Sequence, residues 1–104
     1  MTKTIAYIDE NYMKQTGLES ISKAAGVSSQ HLCRLFRQTL NCRPMEYITK
    51  RKIKAAKMLL AETQKTVDQI VEETGFCDSS YFCKIFKRFE SITPSQFRSI
   101  EQAL

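Results

Sequence analysis

Leu32-Cys33-Arg34-Leu35-Phe36-Arg37 returns 50 positions later as Phe82-Cys83-Lys84-Ile85-Phe86-Lys87, and every side chain keeps its chemical kind. The match continues at the same offset: Pro44 to Pro94, Glu46 to Gln96, Tyr47 to Phe97. Upstream, Ile21 to Gly26 returns as Ile70 to Gly75 at an offset of 49, so the second copy carries one extra residue in its turn. The repeat preserves an apolar register and a cationic register together. A core needs only the first. Two copies of one binding unit need both.

Each copy reads as two short helices around a glycine turn. In the first, Glu19 to Ala25 forms one helix. Gly26 supplies a left-handed turn, and Ser28 caps the next helix by accepting from its free amides. That helix runs from Ser29 to about Leu40, where Asn41 tolerates the left-handed conformation that stops it. An opening amphipathic helix with Ile5, Ile8, Asp9 and Tyr12 precedes the pair and is expected to end near Gly17, as its C′ residue. In the second copy Thr66 caps a helix through Val67, Ile70 and Val71, and Gly75 turns the chain. A long helix then starts at Asp78 or Ser79 and runs to about Phe89. Pro44 and Pro94 suit the first turn of two further helices. The one from Pro44 to about Ala61 carries apolar residues over a broad arc, as a helix packed against both halves requires. At about 1.5 Å per residue it is a spacer of roughly 26 Å. The expected fold is all-α: two helix-turn-helix subdomains, 1–43 and 62–104, joined by a linker helix over 44–61, about seven helices in total.

The 3.6-residue period sorts each long helix into two faces. In the first copy Leu32, Leu35, Phe36 and Leu40 point inward, and Gln30, Arg34, Arg37 and Gln38 point outward. In the second, Phe82, Ile85, Phe86 and Phe89 point inward, and Ser80, Lys84, Lys87 and Arg88 point outward. An exposed helix of this character fits the major groove of B-DNA. There arginine and lysine pair with guanine and glutamine pairs with adenine. The first turns of such a helix sit deepest. Gln30 and Arg34, then Ser79, Ser80 and Lys84, are the candidate base readers, flanked by Cys33 and Cys83. Arg37, Lys87 and Arg88 are phosphate contacts, joined by Ser28 at the cap and His31 at the margin of the face. Ser80 and Cys83 are also small enough to be simple space-fillers. Two heads in one chain require a separation near one DNA turn, roughly 34 Å. A rigid spacer shorter than that favours bending the DNA, at a cost of a few kcal/mol. Because the copies differ, one chain is expected to read an asymmetric site of two boxes as a monomer.

Charge supports a polyanionic partner. The net charge is +5 over 104 residues. From Arg34 to Lys57 the bases are Arg34, Arg37, Arg43, Lys50, Arg51, Lys52, Lys54 and Lys57 against Glu46 alone, and Lys84, Lys87, Arg88 and Arg98 form a second cluster. A solvated surface could carry the same charges. No apolar run approaches the roughly 18 residues of a membrane span. The N-terminus lacks a signal-peptide pattern, so no membrane partner and a cytoplasmic location are expected. Cys33, Cys42, Cys77 and Cys83 contain no C-x-x-C pair and His31 is the single histidine, so no metal site and no cofactor are expected. Nor is there a paired-carboxylate site, a Ser-His or Cys-His arrangement, or a phosphate-binding glycine loop, which argues against an enzyme.

Over essentially its whole length the chain resembles the DNA-binding domain of the AraC/XylS family of bacterial transcription regulators. The carrying residues are Ile21 to Ser28, Leu32 to Arg37, Pro44 to Ile48, Ala56 and Leu59-Leu60. Most specific are Ile70, Gly75-Phe76, Ser80-Tyr81-Phe82, Phe86-Lys87 and Thr93-Pro94-Ser95-Gln96-Phe97-Arg98. The resemblance implies two recognition helices in successive major grooves of double-stranded DNA. It implies base contacts from Gln30, Cys33, Arg34, Ser79, Ser80, Cys83 and Lys84, and activation through contact with RNA polymerase. The chain departs from the family pattern at Ser91, where a glycine is usual (its first-copy counterpart is Asn41), at Val71, where alanine is usual, and at Lys52, where arginine is common. Family members often carry a separate sensory or dimerisation domain. These residues leave no room for one, as befits either a fragment of a larger regulator or a stand-alone one. The competing class is a helical protein-interaction module whose basic face holds an acidic protein.

Overall fold

The computed structural model describes residues 2–12 and 17–104. Seven helices account for the regular structure of these residues: α1 (Thr2–Asn11), α2 (Leu18–Ala25), α3 (Ser29–Leu40), α4 (Pro44–Glu62), α5 (Val67–Thr74), α6 (Ser79–Glu90) and α7 (Pro94–Ala103). The helices divide between two compact units, 1–51 and 52–104, and the continuous helix α4 contributes to each.

Local chemistry sets the helix ends. Gly26 and Gly75 both adopt the left-handed conformation, with φ of 72° and 80°. They close α2 and α5 by returning their amides to preceding carbonyls, Gly26 to Lys23 at 3.1 Å and Gly75 to Val71 at 3.1 Å. Ser28 caps α3 by accepting from the His31 amide at 3.1 Å, and Asp78 caps α6 by accepting from the Tyr81 amide at 2.7 Å. Thr66 with Gln69, and Thr93 with Gln96, form reciprocal capping boxes at the starts of α5 and α7. Pro94 follows Thr93 at the first helical position, where its missing N–H costs nothing.

One expected boundary is corrected. Gly17 is not a left-handed C′ residue. Its φ of −91° and ψ of 169° are extended, and it is the N-cap of α2, without a side chain to cap it. The expected continuation of α1 toward Gly17 falls on residues 13–16, outside the described residues.

Each unit has its own core. In the first, Ile8, Ile21, Leu32, Phe36 and Ile48 are buried, and the Tyr47 ring meets Phe36 edge-on at 5.9 Å. Burial, with the carboxylate of Asp9 adding to it, raises the Tyr47 phenol above its ordinary value. In the second, Ile53, Ala56, Leu60, Ile70, Val71, Phe76, Phe82 and Phe86 are buried. Aromatic rings run through that core in series: Phe76 to Phe82 at 5.0 Å, Phe82 to Phe86 at 5.7 Å, Phe86 to Phe97 at 5.6 Å. Ile48 serves the first core, whereas Ile53, Ala56 and Leu60 serve the second, which is why α4 is apolar over a broad arc.

The inward faces of α3 and α6 end sooner than their periodicity implies. Leu40 and Phe89 are 39% and 37% exposed. The helices paired with them, α2 and α5, have 8 residues each against 12, so the last turn outruns its partner.

Ser91 occupies the left-handed region at φ 68° and Asn41 does so at φ 54°. A side chain there costs roughly 1–2 kcal/mol, less for asparagine. Ser91→Gly is therefore expected to stabilise the second unit by about 0.5–1 kcal/mol, and Asn41→Gly to do less for the first. Thermal melts of the two variants, compared with the parent, check the order. A Ser91→Gly variant that melts lower would contradict the strain.

Candidate nucleic-acid interface

Helices α3 and α6 are the second helices of the two helix-turn-helix units. Each lays its apolar face on the preceding helix and leaves the opposite face to solvent. On α3 the exposed residues include Gln30, His31, Arg34, Arg37 and Gln38, and Cys33 is half-buried. On α6 they include Ser80, Lys84, Lys87 and Arg88, while Ser79 and Cys83 are half-buried. Cys83 also packs against the core of its unit, so its thiol stands at the edge of the outer face. The two turns differ as the offsets require. Gly26 and Ser28 are separated by Val27 alone, and Gly75 and Asp78 by Phe76 and Cys77. Phe76 uses the extra residue to bury its ring against Phe82.

The basic residues sort into two groups. Several are engaged within the fold. Arg51 donates from Nε to Asp9 at 2.9 Å and lies over the Tyr12 ring. Lys57 pairs with Glu90 at 2.8 Å, and Lys50 with Glu46 at 3.5 Å. Lys52 Nζ donates to the Gly75 carbonyl at 2.9 Å and sits 5.6 Å from the Phe76 ring centre, tying α4 to the turn of the second unit. Burial lowers its ammonium below the ordinary lysine value, with the Cys77 thiol acting in the opposite direction. Arg98, counted by sequence in the second cationic cluster, belongs to this group. Its Nε donates to the Leu60 carbonyl at 3.1 Å, and its Nη2 donates to the carbonyls of Thr63 and Lys65 at 3.3 and 2.6 Å. That fork closes the C-terminus of α4, and leaves the outer cluster with Lys84, Lys87 and Arg88.

Among the described residues, Arg34, Arg37, Lys84, Lys87 and Arg88 make no ion pair, and Arg43 and Lys54 are likewise exposed without one. Among the same residues Lys3 and Lys23 are also exposed and unpaired, but on the outer faces that periodicity assigns to α3 and α6 every cation is free. Two candidate residues have hydroxyls already in use. Ser28 Oγ accepts from the His31 amide, and Ser79 Oγ donates to the Asp68 carboxylate. Asp68, on α5, therefore stands beside the first turn of α6. No spacing rule pointed to it. Among the described residues no helix is long and apolar enough to cross a membrane, and no three His, Cys, Asp or Glu residues are grouped to hold a metal ion.

Comparison with known proteins agrees with this architecture. The helix-turn-helix domain family matches residues 21–100. The lactose operon transcription activator of Staphylococcus xylosus is 31% identical over 94 residues, which cover 90% of this chain and 34% of that protein. A transcriptional regulator from Chromobacterium violaceum, described as containing an AraC-type DNA-binding domain, superposes with a TM-score of 0.89 at 28% identity, over 96% of this chain and 89% of the other. The DNA-binding domain of the global transcriptional factor AdpA, solved with a target DNA, superposes with a TM-score of 0.93 over 98% of this chain and 92% of the other. At 22% identity that likeness concerns the fold. The chain spans about a third of the length of the curated relatives it matches. Doubled helix-turn-helix units, a shared linker helix and a family match over most of the sequence lead to one conclusion: the chain belongs to the helix-turn-helix domain family, as an AraC/XylS-type DNA-binding domain of transcription regulators.

Proposed function

We propose that the chain recognises a specific sequence in double-stranded DNA by placing α3 and α6 in successive major grooves, and thereby regulates transcription. One observation carries the reading. Every cation on the outer faces of these two helices is left free by the fold, whereas Lys50, Arg51, Lys52, Lys57, Lys65 and Arg98 are bound to carboxylates or carbonyls. Gln30, Cys33 and Arg34 in the first head, and Ser79, Ser80, Cys83 and Lys84 in the second, contact bases. Ser28, His31, Arg37, Lys87 and Arg88 contact phosphates. The two faces differ in sequence, so the site is asymmetric, with two boxes about one turn apart. The chain acts as a monomer on it. The AdpA domain, solved with a target DNA, supports DNA as the partner through its fold. The likeness to the lactose operon transcription activator supports activation; we read it as proceeding by contact with RNA polymerase, in the cytoplasm. The chain acts by binding and not by catalysis.

Selection of binding sites from random duplex DNA at near-physiological salt tests this, with Arg34→Ala and Lys84→Ala alongside the parent. The parent should enrich two boxes about one turn apart, and each variant should relax a different box, by about 1–3 kcal/mol of base discrimination. Salt-sensitive binding with no enriched motif would leave the basic faces to an acidic protein instead. A strictly palindromic motif bound by two chains would refute the monomeric, asymmetric geometry.

A further inference from the structure

Ser29 and Ser79 hold the same place, the first residue of each recognition helix, yet their hydroxyls have different partners. Ser29 donates to the Ser22 hydroxyl at 3.4 Å, and Ser22, buried, donates onward to the Glu19 carbonyl at 2.9 Å. No charge enters that chain. In the second copy the counterpart of Ser22, 49 positions on, is Val71, which is buried and has no hydroxyl. Ser79 turns instead to Asp68 on α5, donating its proton to the exposed carboxylate.

A serine hydroxyl has one proton and two lone pairs, and an ionised carboxylate only accepts. With its proton committed to Asp68, Ser79 offers acceptors alone, and Asp68 offers more of them. The adjacent Asp78 carboxylate caps α6 by accepting from the Tyr81 amide through Oδ1, and its remaining lone pairs are acceptors too. The first turn of α6 therefore presents an acceptor pair, whereas at the start of α3 Ser29 donates to Ser22 and not to Glu19, the counterpart of Asp68. In the major groove the donors that satisfy acceptors are the exocyclic amines of cytosine and adenine. Guanine and thymine turn acceptors toward the protein and would face lone pair against lone pair.

Resting on the DNA-reading function above, we propose that Asp68 is a specificity-determining residue of the second head. Acting beside and through Ser79, it selects an amine-bearing base, cytosine or adenine, at the position facing the start of α6. Asp68 also repels the phosphate backbone, so it trades affinity for discrimination.

The test is site selection and equilibrium competition with the whole chain: the parent, Asp68→Ala, Asp68→Asn and Ser79→Ala, with Arg34→Ala and Lys84→Ala to assign each box to its head. The parent should require cytosine or adenine at one position of the box assigned to α6. Asp68→Ala should weaken that preference about tenfold while binding non-cognate DNA more tightly. Asp68→Asn, which adds a donor, should admit guanine or thymine there. Ser79→Ala should weaken the preference partly, and the α3 box should keep its profile in all three variants. An unchanged profile in Asp68→Ala, or a parent preference for guanine or thymine at that position, overturns this inference alone. A parent that enriches no motif overturns the DNA-reading function and this inference with it.

Discussion

Phe86→Ala is expected to destabilise the second unit by about 3–5 kcal/mol, the usual cost of emptying an aromatic site in a core. The Phe86 ring is fully buried and joins two edges of that core, meeting Phe82 at 5.7 Å and Phe97 at 5.6 Å. Truncation removes the burial of the ring and also both ring-to-ring contacts, each worth about 0.5–1.5 kcal/mol beyond its area. The neighbours are themselves large rings held by other packing and close poorly over the void. Domains of this size have only about 5–15 kcal/mol in total, so the melting temperature should drop by roughly 20 °C. Differential scanning calorimetry and hydrogen exchange check it, and the exchange should quicken in α5 to α7 before α2 and α3. A drop of only a few degrees would mean that Phe86 does not bridge the core as described.

Arg98→Ala is expected to cost about 2–3 kcal/mol of stability, from the loss of charge-assisted hydrogen bonds. The last carbonyls of any helix lack intrahelical partners. At the end of α4 the Leu60 carbonyl takes Nε of Arg98 and Nε2 of Gln102, at 3.1 and 3.0 Å, and the Thr63 carbonyl takes Nη2 and Nε2 from the same pair, at 3.3 and 3.0 Å. Arg98 and Gln102 lie one turn apart on α7, so two side chains fasten α7 to α4. A planar guanidinium reaches three carbonyls from one position and an ammonium does not. Arg98→Lys should therefore recover less than half of the loss. The salt dependence of DNA binding separates this role from a phosphate contact. At a temperature where the variant is folded, Arg98→Ala should leave the slope of log K against log salt unchanged. Lys87→Ala should reduce that slope by about one. A reduced slope in Arg98→Ala would return this residue to the cationic face.

Much of the fold was legible because its determinants are local. Ser28, Thr66 and Thr93 each accept from an amide three positions on, and Pro94 acts through its own fixed φ at the first helical position. Gly26 and Gly75 act through their own φ. Apolar spacing alone names Phe36, Phe82 and Phe86 as core. What could not be read depends on distant partners. Leu40 and Phe89 keep the period but lose the cover, because the length of the opposing helix decides how far a face stays buried. Gly17 stands between two helices, and composition does not say to which it belongs.

The interface follows the same division. The doubled helix-turn-helix, the caps and turns, and the outward register of Gln30, Arg34, Ser80 and Lys84 can be read from residue order alone, since all of these follow from helical period and near-neighbour hydrogen bonding. Which charges are free depends on how the helices pack. Arg98 lies 38 positions from the Leu60 carbonyl it caps, Arg51 lies 42 from Asp9, and Lys52 lies 23 from the Gly75 carbonyl. Asp68 is 11 positions from Ser79 and on another helix. A cation's sequence neighbours set its direction along the helix. Whether it meets a carboxylate, a carbonyl or only solvent depends on which helix packs beside it, and that is settled when the two cores close.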